Sequence, residues 1–175
     1  MGLAQISSAL YSHGNALALE EFAHIGFHKT PSSSDYITDS AAGATAFSCG
    51  VKTYNQAIGM TQDTLPCKTL LEELQEDGYA TGLVATATIV HATPAAFAAH
   101  QPLRWLYEDI AVDVSQSGVD LLIGGGKRYF DRRNQDERNL LEEMEGRGYR
   151  IDNYLNLDFK DIVFDARSKY FYLAA

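Results

Sequence analysis

The chain has few of the residues that would place it quickly. Only two of its 175 residues are cysteine, Cys49 and Cys67. Two thiols allow one bridge, but neither a disulfide framework nor a cysteine-type zinc site. No apolar run reaches the roughly 18 residues that a membrane-spanning helix requires. Basic residues are also scarce, with 14 Lys and Arg against 23 Asp and Glu, for a net charge of −9. Without an excess of cations to displace counterions from phosphates, nucleic acid is excluded as the main partner. The basic residues Lys127, Arg128, Arg132 and Arg133 therefore read as a solvated face. The first residues, Met1-Gly2-Leu3-Ala4, carry no charged n-region followed by an apolar run, so they form no export signal. Ile6 occupies the position where myristoylation needs Ser or Thr.

What is present is a substantial apolar fraction, 46% of residues, with 11% aromatic, enough to bury a core and to exclude a disordered or fibrous chain. Helical and strand patterns alternate. Leu3–Ser12 reads as a helix and Ile25–Lys29 as a short strand. Ser40–Val51 is a small-residue helix suited to close packing on a sheet. Lys68–Glu76 is a helix with Leu70, Leu71 and Leu74 on one face, stopped by Gly78. Thr81–Val90 has the β-branched, uncharged composition of a buried parallel strand. Pro94 suits a first helical turn, Trp105–Val114 continues as a helix, and Val119–Ile123 is a strand ended by Gly124-Gly125-Gly126. A polar loop, Asp131–Asn139, leads to a helix at Leu140–Glu145, and Tyr170–Leu173 is strand-like. This alternation predicts an α/β fold, a layered α/β/α sandwich with a mostly parallel sheet.

Ligands in such folds gather at the carboxyl ends of strands and at helix N-termini. Three segments qualify. In Thr38-Asp39-Ser40-Ala41-Ala42-Gly43-Ala44, a Ser opening a helix lies beside backbone N–H groups that stabilise an alkoxide and a bound phosphate. The same spacing equally suits Asp39 or Ser40 as a plain N-cap. The stretch from Gly43 to Thr53 is no Walker loop, because six residues separate Gly43 from Gly50 and Val51 splits the Gly-Lys pair. In His91-Ala92-Thr93, a strand-end geometry would let both side chains face one cation. Arg104 follows with a guanidinium suited to two phosphate oxygens. A satisfied strand-end histidine and a surface ion pair account for the same residues. The third segment, Gly124-Gly125-Gly126-Lys127, is a tight turn or a phosphate cradle. His24 and His28 are four apart, but the intervening Ile25-Gly26-Phe27 spoils a helical metal face.

At these residues the chain resembles the alkaline phosphatase family. Thr38-Asp39-Ser40-Ala41-Ala42-Gly43-Ala44-Thr45-Ala46 is similar to the family's nucleophile pattern. His91-Ala92-Thr93-Pro94-Ala95, Ala99-His100 and Arg104 are similar to a second block, and the likeness continues through Cys49-Gly50-Val51-Lys52 and Asp120–Gly126. The resemblance implies that Ser40 is phosphorylated during turnover and binds zinc. Asp39 would orient Arg104, and Arg104 would clamp phosphate. Thr93 is implied as a magnesium ligand and His91 as a magnesium-site residue acting directly or through water. Two zinc ions and one magnesium would assist a double displacement of phosphate monoesters. The family also implies a homodimer and a periplasmic, extracellular or cell-surface location.

Other family ligands have no counterpart here. Met1-Gly2 resembles the end of a metal-binding G-D-G-M-G turn, and no His follows His100. The expectation is thus that residues 1–175 form the N-terminal part of one catalytic domain, truncated at both ends and inactive alone. The alternatives are a non-catalytic phosphate-binding remnant and a phosphodiesterase or sulfatase-like hydrolase of the same superfamily. Cys49, inside the nucleophile helix, reads as a buried free thiol, and Cys67 as the more accessible of the two.

Overall fold

A computed structural model describes residues 2–165 and 167–174. The elements run α1 (Leu3–Ser12), α2 (Ser40–Cys49), α3 (Leu70–Glu76), β1 (Gly82–Thr88), α4 (Ala92–Ala95), α5 (Tyr107–Gln116), β2 (Leu121–Gly125), α6 (Arg128–Asp131), α7 (Leu140–Gly146), β3 (Tyr149–Asn153) and β4 (Lys169–Leu173). The four strands form one parallel sheet in the order β1-β2-β4-β3. The predicted α/β class with a parallel sheet is what the chain adopts.

Strand alternation divides the core. Leu122 of β2 and Phe171 and Leu173 of β4 face the helical side, where they meet Ile110, Val114, Phe130, Leu140 and Met144 from α5, α6 and α7. The intervening residues Ile123, Tyr170 and Tyr172 face the other side and form a smaller cluster with Ile162. There the return from β3 to β4 lays Phe159 on Tyr172 and Phe164 on Tyr170, both edge to face.

Three predicted elements differ. Ile25–Lys29 is no strand: no neighbouring strand pairs with it, and Phe27 is fully exposed. Strand β1 exists, but it lies at the sheet edge rather than buried, with Val84 68% exposed. The small-residue helix α2 packs chiefly on α4 rather than on the sheet. Its Ser48 donates to the Ala96 carbonyl at 2.6 Å, a contact that needs the close approach its alanines allow.

A second tether fixes the segment between α2 and α3. His100 Nδ1 lies 2.7 Å from the Gly59 carbonyl and Nε2 lies 2.9 Å from Glu72 Oε1. Both ring nitrogens face acceptors, so the doubly protonated imidazolium satisfies both. Burial opposes that charge, but the hydrogen bonds to Glu72 and to the Gly59 carbonyl outweigh it and raise the His100 pKa above its ordinary value. Glu72 also closes the capping box of α3 with Thr69. Gly59 has a φ of +56°, and a Cβ there would lie 2.2 Å from the Ala99 carbonyl oxygen.

Two outcomes follow. Gly59→Ala meets both a left-handed backbone and a backbone clash, and urea denaturation should show a loss of about 2–4 kcal/mol. The His100 contribution is complete below the ordinary imidazole range near 6.5 and fades as pH rises through its raised folded-state value. The stability difference between the parent and His100→Gln should therefore shrink between pH 6 and pH 9 in matched urea melts.

Candidate active site

Helix α2 is opened by Asp39, whose Oδ1 accepts from the Ala42 N–H at 2.9 Å. The extended backbone of Asp39 and the alanines that follow make this a regular N-terminus. It is ended by Gly50 in the left-handed conformation, φ +70°. Thr45 anchors the helix inside the protein, donating to the Ala57 carbonyl at 3.0 Å and accepting from the Gly59 N–H at 3.0 Å. Ser40, the first residue of α2, is left at the surface.

Asp39 does more than cap. Its Oδ2 accepts from the Gln56 N–H at 3.1 Å and from Arg104 Nη1 at 3.0 Å, while its own N–H donates to Asn55 Oδ1. Partial burial works against the charge, but the Ala42 and Gln56 N–H groups and Arg104 prevail and hold the carboxyl below its ordinary pKa. Arg104 is itself sequestered, with its side chain 11% exposed. Nη1 also donates to Ser40 Oγ at 2.8 Å, and the guanidinium lies 5.0 Å from the Trp105 ring centroid. Nε is buried without a partner.

His91 completes the group. Its Nε2 lies 3.4 Å from Arg104 Nη2. A guanidinium only donates, so in this contact Nε2 faces a donor. The structure thus brings Asp39, Ser40, His91 and Arg104 together. Thr93 is exposed nearby in sequence, on the first turn of α4. The predicted strand-end relation of His91 and Thr93 is corrected: His91 is the N-cap of α4 and Thr93 lies within that helix, so helical rather than strand geometry relates them. The glycine run belongs to β2 and its exit. Gly126 has φ +97°, and a Cβ there would meet Thr88 Cβ at 2.9 Å, so the run lets the ends of β1 and β2 approach. His24 and His28 are exposed. Sequence reading missed Asn55 and Gln56, which hold Asp39 from a loop and carry no motif of their own.

Cys49 and Cys67 are both free, and their burial is the reverse of that expected. Cys49 is half-buried at the end of α2, whereas Cys67 is buried beneath the start of α3.

A model of the alkaline phosphatase family matches residues 3–162. The chain belongs to that family. Alkaline phosphatase 3 of Bacillus subtilis strain 168 is 48% identical over 119 residues, which make up 65% of this chain and 25% of that protein. The alkaline phosphatase of the Antarctic bacterium TAB5 superposes with a TM-score of 0.89 at 42% identity, covering 99% of this chain and 50% of that one. A His-to-Asp variant of the TAB5 enzyme, described with Mg bound in its M3 site, superposes at 0.88 with 41% identity, again over 99% and 50% of the two chains. The chain therefore spans about half of the TAB5 enzyme and a quarter of the Bacillus relative.

If one carboxylate secures the helix start, the loop and the guanidinium, its removal affects all three. Asp39→Ala should cost about 1–3 kcal/mol at neutral pH. Because the folded-state pKa is depressed, this contribution is present above the ordinary aspartate range near 3.8 and is lost as pH falls through the lower folded value. The gap between parent and variant urea midpoints should close on acidification.

Proposed function

We propose that the parent of this chain hydrolyses phosphate monoesters through a phosphoserine at Ser40. The observation that carries this is Arg104 Nη1, which donates at once to Ser40 Oγ and to Asp39 Oδ2. A guanidinium held by one carboxylate and touching a helix-opening serine is placed to bind phosphate oxygens beside an attacking hydroxyl. Asp39 orients it, and the positive charge next to Oγ favours the alkoxide over the alcohol. The start of α2 adds N–H groups of the same polarity. All these elements address phosphate and none addresses the alcohol half of the ester, so the reading implies broad selectivity for the leaving group.

Family membership brings metals, and the residues present do not hold them alone. Among the described residues no group of three or more His, Cys, Asp or Glu could hold a metal ion. His91 and Thr93 supply no carboxylate, and His91 Nε2 is already turned to Arg104, so they make an incomplete site for a hard cation. A serine without a base or metal is a weak nucleophile at neutral pH, and we propose that this chain by itself binds phosphate without turning over esters. By the same membership we propose a homodimer and a periplasmic, extracellular or cell-surface location. No described helix is long and apolar enough to cross a membrane.

The test is the purified chain with an aryl phosphate, Zn²⁺ and Mg²⁺. No turnover above that of Ser40→Ala is expected, and Arg104→Ala should weaken inorganic phosphate binding, followed by ³¹P NMR, by tenfold or more. Turnover that Ser40→Ala abolishes would overturn the inactivity of the chain. Phosphate binding untouched by Arg104→Ala would overturn the clamp.

A further inference from the structure

We propose that Cys49 and Cys67 form a reversible intrachain disulfide that staples the end of α2 to the start of α3. The two residues are already in contact. Cys49 Sγ donates to the Cys67 carbonyl at 3.3 Å, which places the Cys49 thiol against the residue that carries the second thiol. Neither residue sits on a free-moving segment. Cys49 is the last residue of α2, locked by the left-handed Gly50. Cys67 is held by its own N–H, which donates to the Gly59 carbonyl at 2.9 Å, and by the bridge between Met60 and Pro66 just before it. Gly59 in turn is pinned by Thr45 and His100. A disulfide needs sulfurs brought together with tolerable backbone geometry, and here the Cys49 thiol already lies against the Cys67 backbone, so closure asks for side-chain rotation at Cys67.

Access is graded. Cys49 is half-exposed, and a cavity of about 460 Å³ opens beside Cys67 between Lys68, Glu72 and His100. With glutathione disulfide as oxidant, the Cys49 thiolate attacks one sulfur of the reagent. The reagent's S–S bond breaks and one glutathione thiolate leaves. Cys67 then loses its proton and attacks Cys49 Sγ, and the mixed disulfide breaks to release the second glutathione. The protein gives up two electrons and two protons, and one glutathione disulfide becomes two glutathione thiols. Burial, the largest cause, pushes the Cys67 thiol up, to about 12 while Cys49 is also a thiol. Burial persists once Cys49 carries glutathione, so the second step is slow at neutral pH and quickens about tenfold per pH unit until the Cys67 thiol ionises. The staple would close a loop over residues 50–66 and fix the far end of the helix whose first residue is Ser40.

The experiment treats the chain with glutathione disulfide, quenches in acid with a maleimide, and maps tryptic peptides without reduction. Peptides 30–52 and 53–68, which carry one cysteine each, should appear joined in a monomeric chain. The joined species should form about tenfold faster for each pH unit between 7 and 9. Its melting midpoint should rise by about 4 °C or more, and the rise should vanish with dithiothreitol. Cys67→Ser should stop at the glutathione adduct on Cys49. Both peptides recovered as maleimide adducts, a glutathione adduct on Cys49 that persists at pH 9, or a link only between two chains would each overturn the proposal. The parent peptide map decides the matter even if Cys67→Ser fails to fold.

Discussion

The Asp39 carboxylate is the interaction on which the rest of the site depends. It caps α2 through Ala42, holds the loop at Gln56 and fixes Arg104. Each bond alone is ordinary. Together they mean that the position of Ser40 and the direction of the guanidinium are set by the same two oxygens. A serine at a helix start is common; one whose hydroxyl already meets a largely sequestered arginine at 2.8 Å is a preorganised pair. The electrostatics agree with this division. The carboxyl stays ionised because N–H donors and Arg104 outweigh burial, so the arginine is oriented without being left an unpaired buried charge.

Around that pair the fold uses small residues as a structural resource. Ala41 and Ala44 of α2 and Ala92, Ala95 and Ala96 beside them are buried with almost no exposed surface. Two helices so lined approach closely enough for Ser48 to reach the Ala96 carbonyl. The close contact ties α2, which carries Ser40, to α4, whose N-cap is His91. The wider core, with Phe130 against Phe171 and Leu122 beneath α5 to α7, supplies the hydrophobic burial that keeps this arrangement in place.

Much of this was legible from residue order. The alternation of helix and strand gave the α/β class, and the segments containing Asp39-Ser40, His91 and Arg104 were recognisable before their convergence was known. What could not be read was partnership. Ile25–Lys29 has strand composition, yet no strand lies beside it, and β-propensity acts only when a neighbouring edge accepts the hydrogen bonds. Thr81–Val90 looks like a central strand because its residues are apolar on both faces, but its place in the sheet is set by where β2 and β4 fall. His91 looked like a strand end because β-branched residues precede it; the helix that begins there is four residues long, too short to leave a periodic trace. The contributions of Asn55 and Gln56 arise from loop geometry, with Gln56 at φ +80°, and no spacing rule reaches them.

The strand order carries a consequence for how the molecule comes together. Among the described strands, β1 and β2 are neighbours, whereas β3 touches the sheet only through β4, which follows it in sequence. While the polypeptide emerges from the ribosome, β3 therefore has no edge to join, and the slot it will occupy stays open until residues 169–173 arrive and pair on both sides. Among the described strands, β4 is thus the one that joins β2 to β3. The β2–β4 pairing, Leu121 with Tyr170, joins residues far apart in sequence, and pairings of that kind slow folding. Until then Leu122 and Ile123 of β2 lack the strand neighbours Phe171 and Tyr172, and an apolar edge of the sheet stays open.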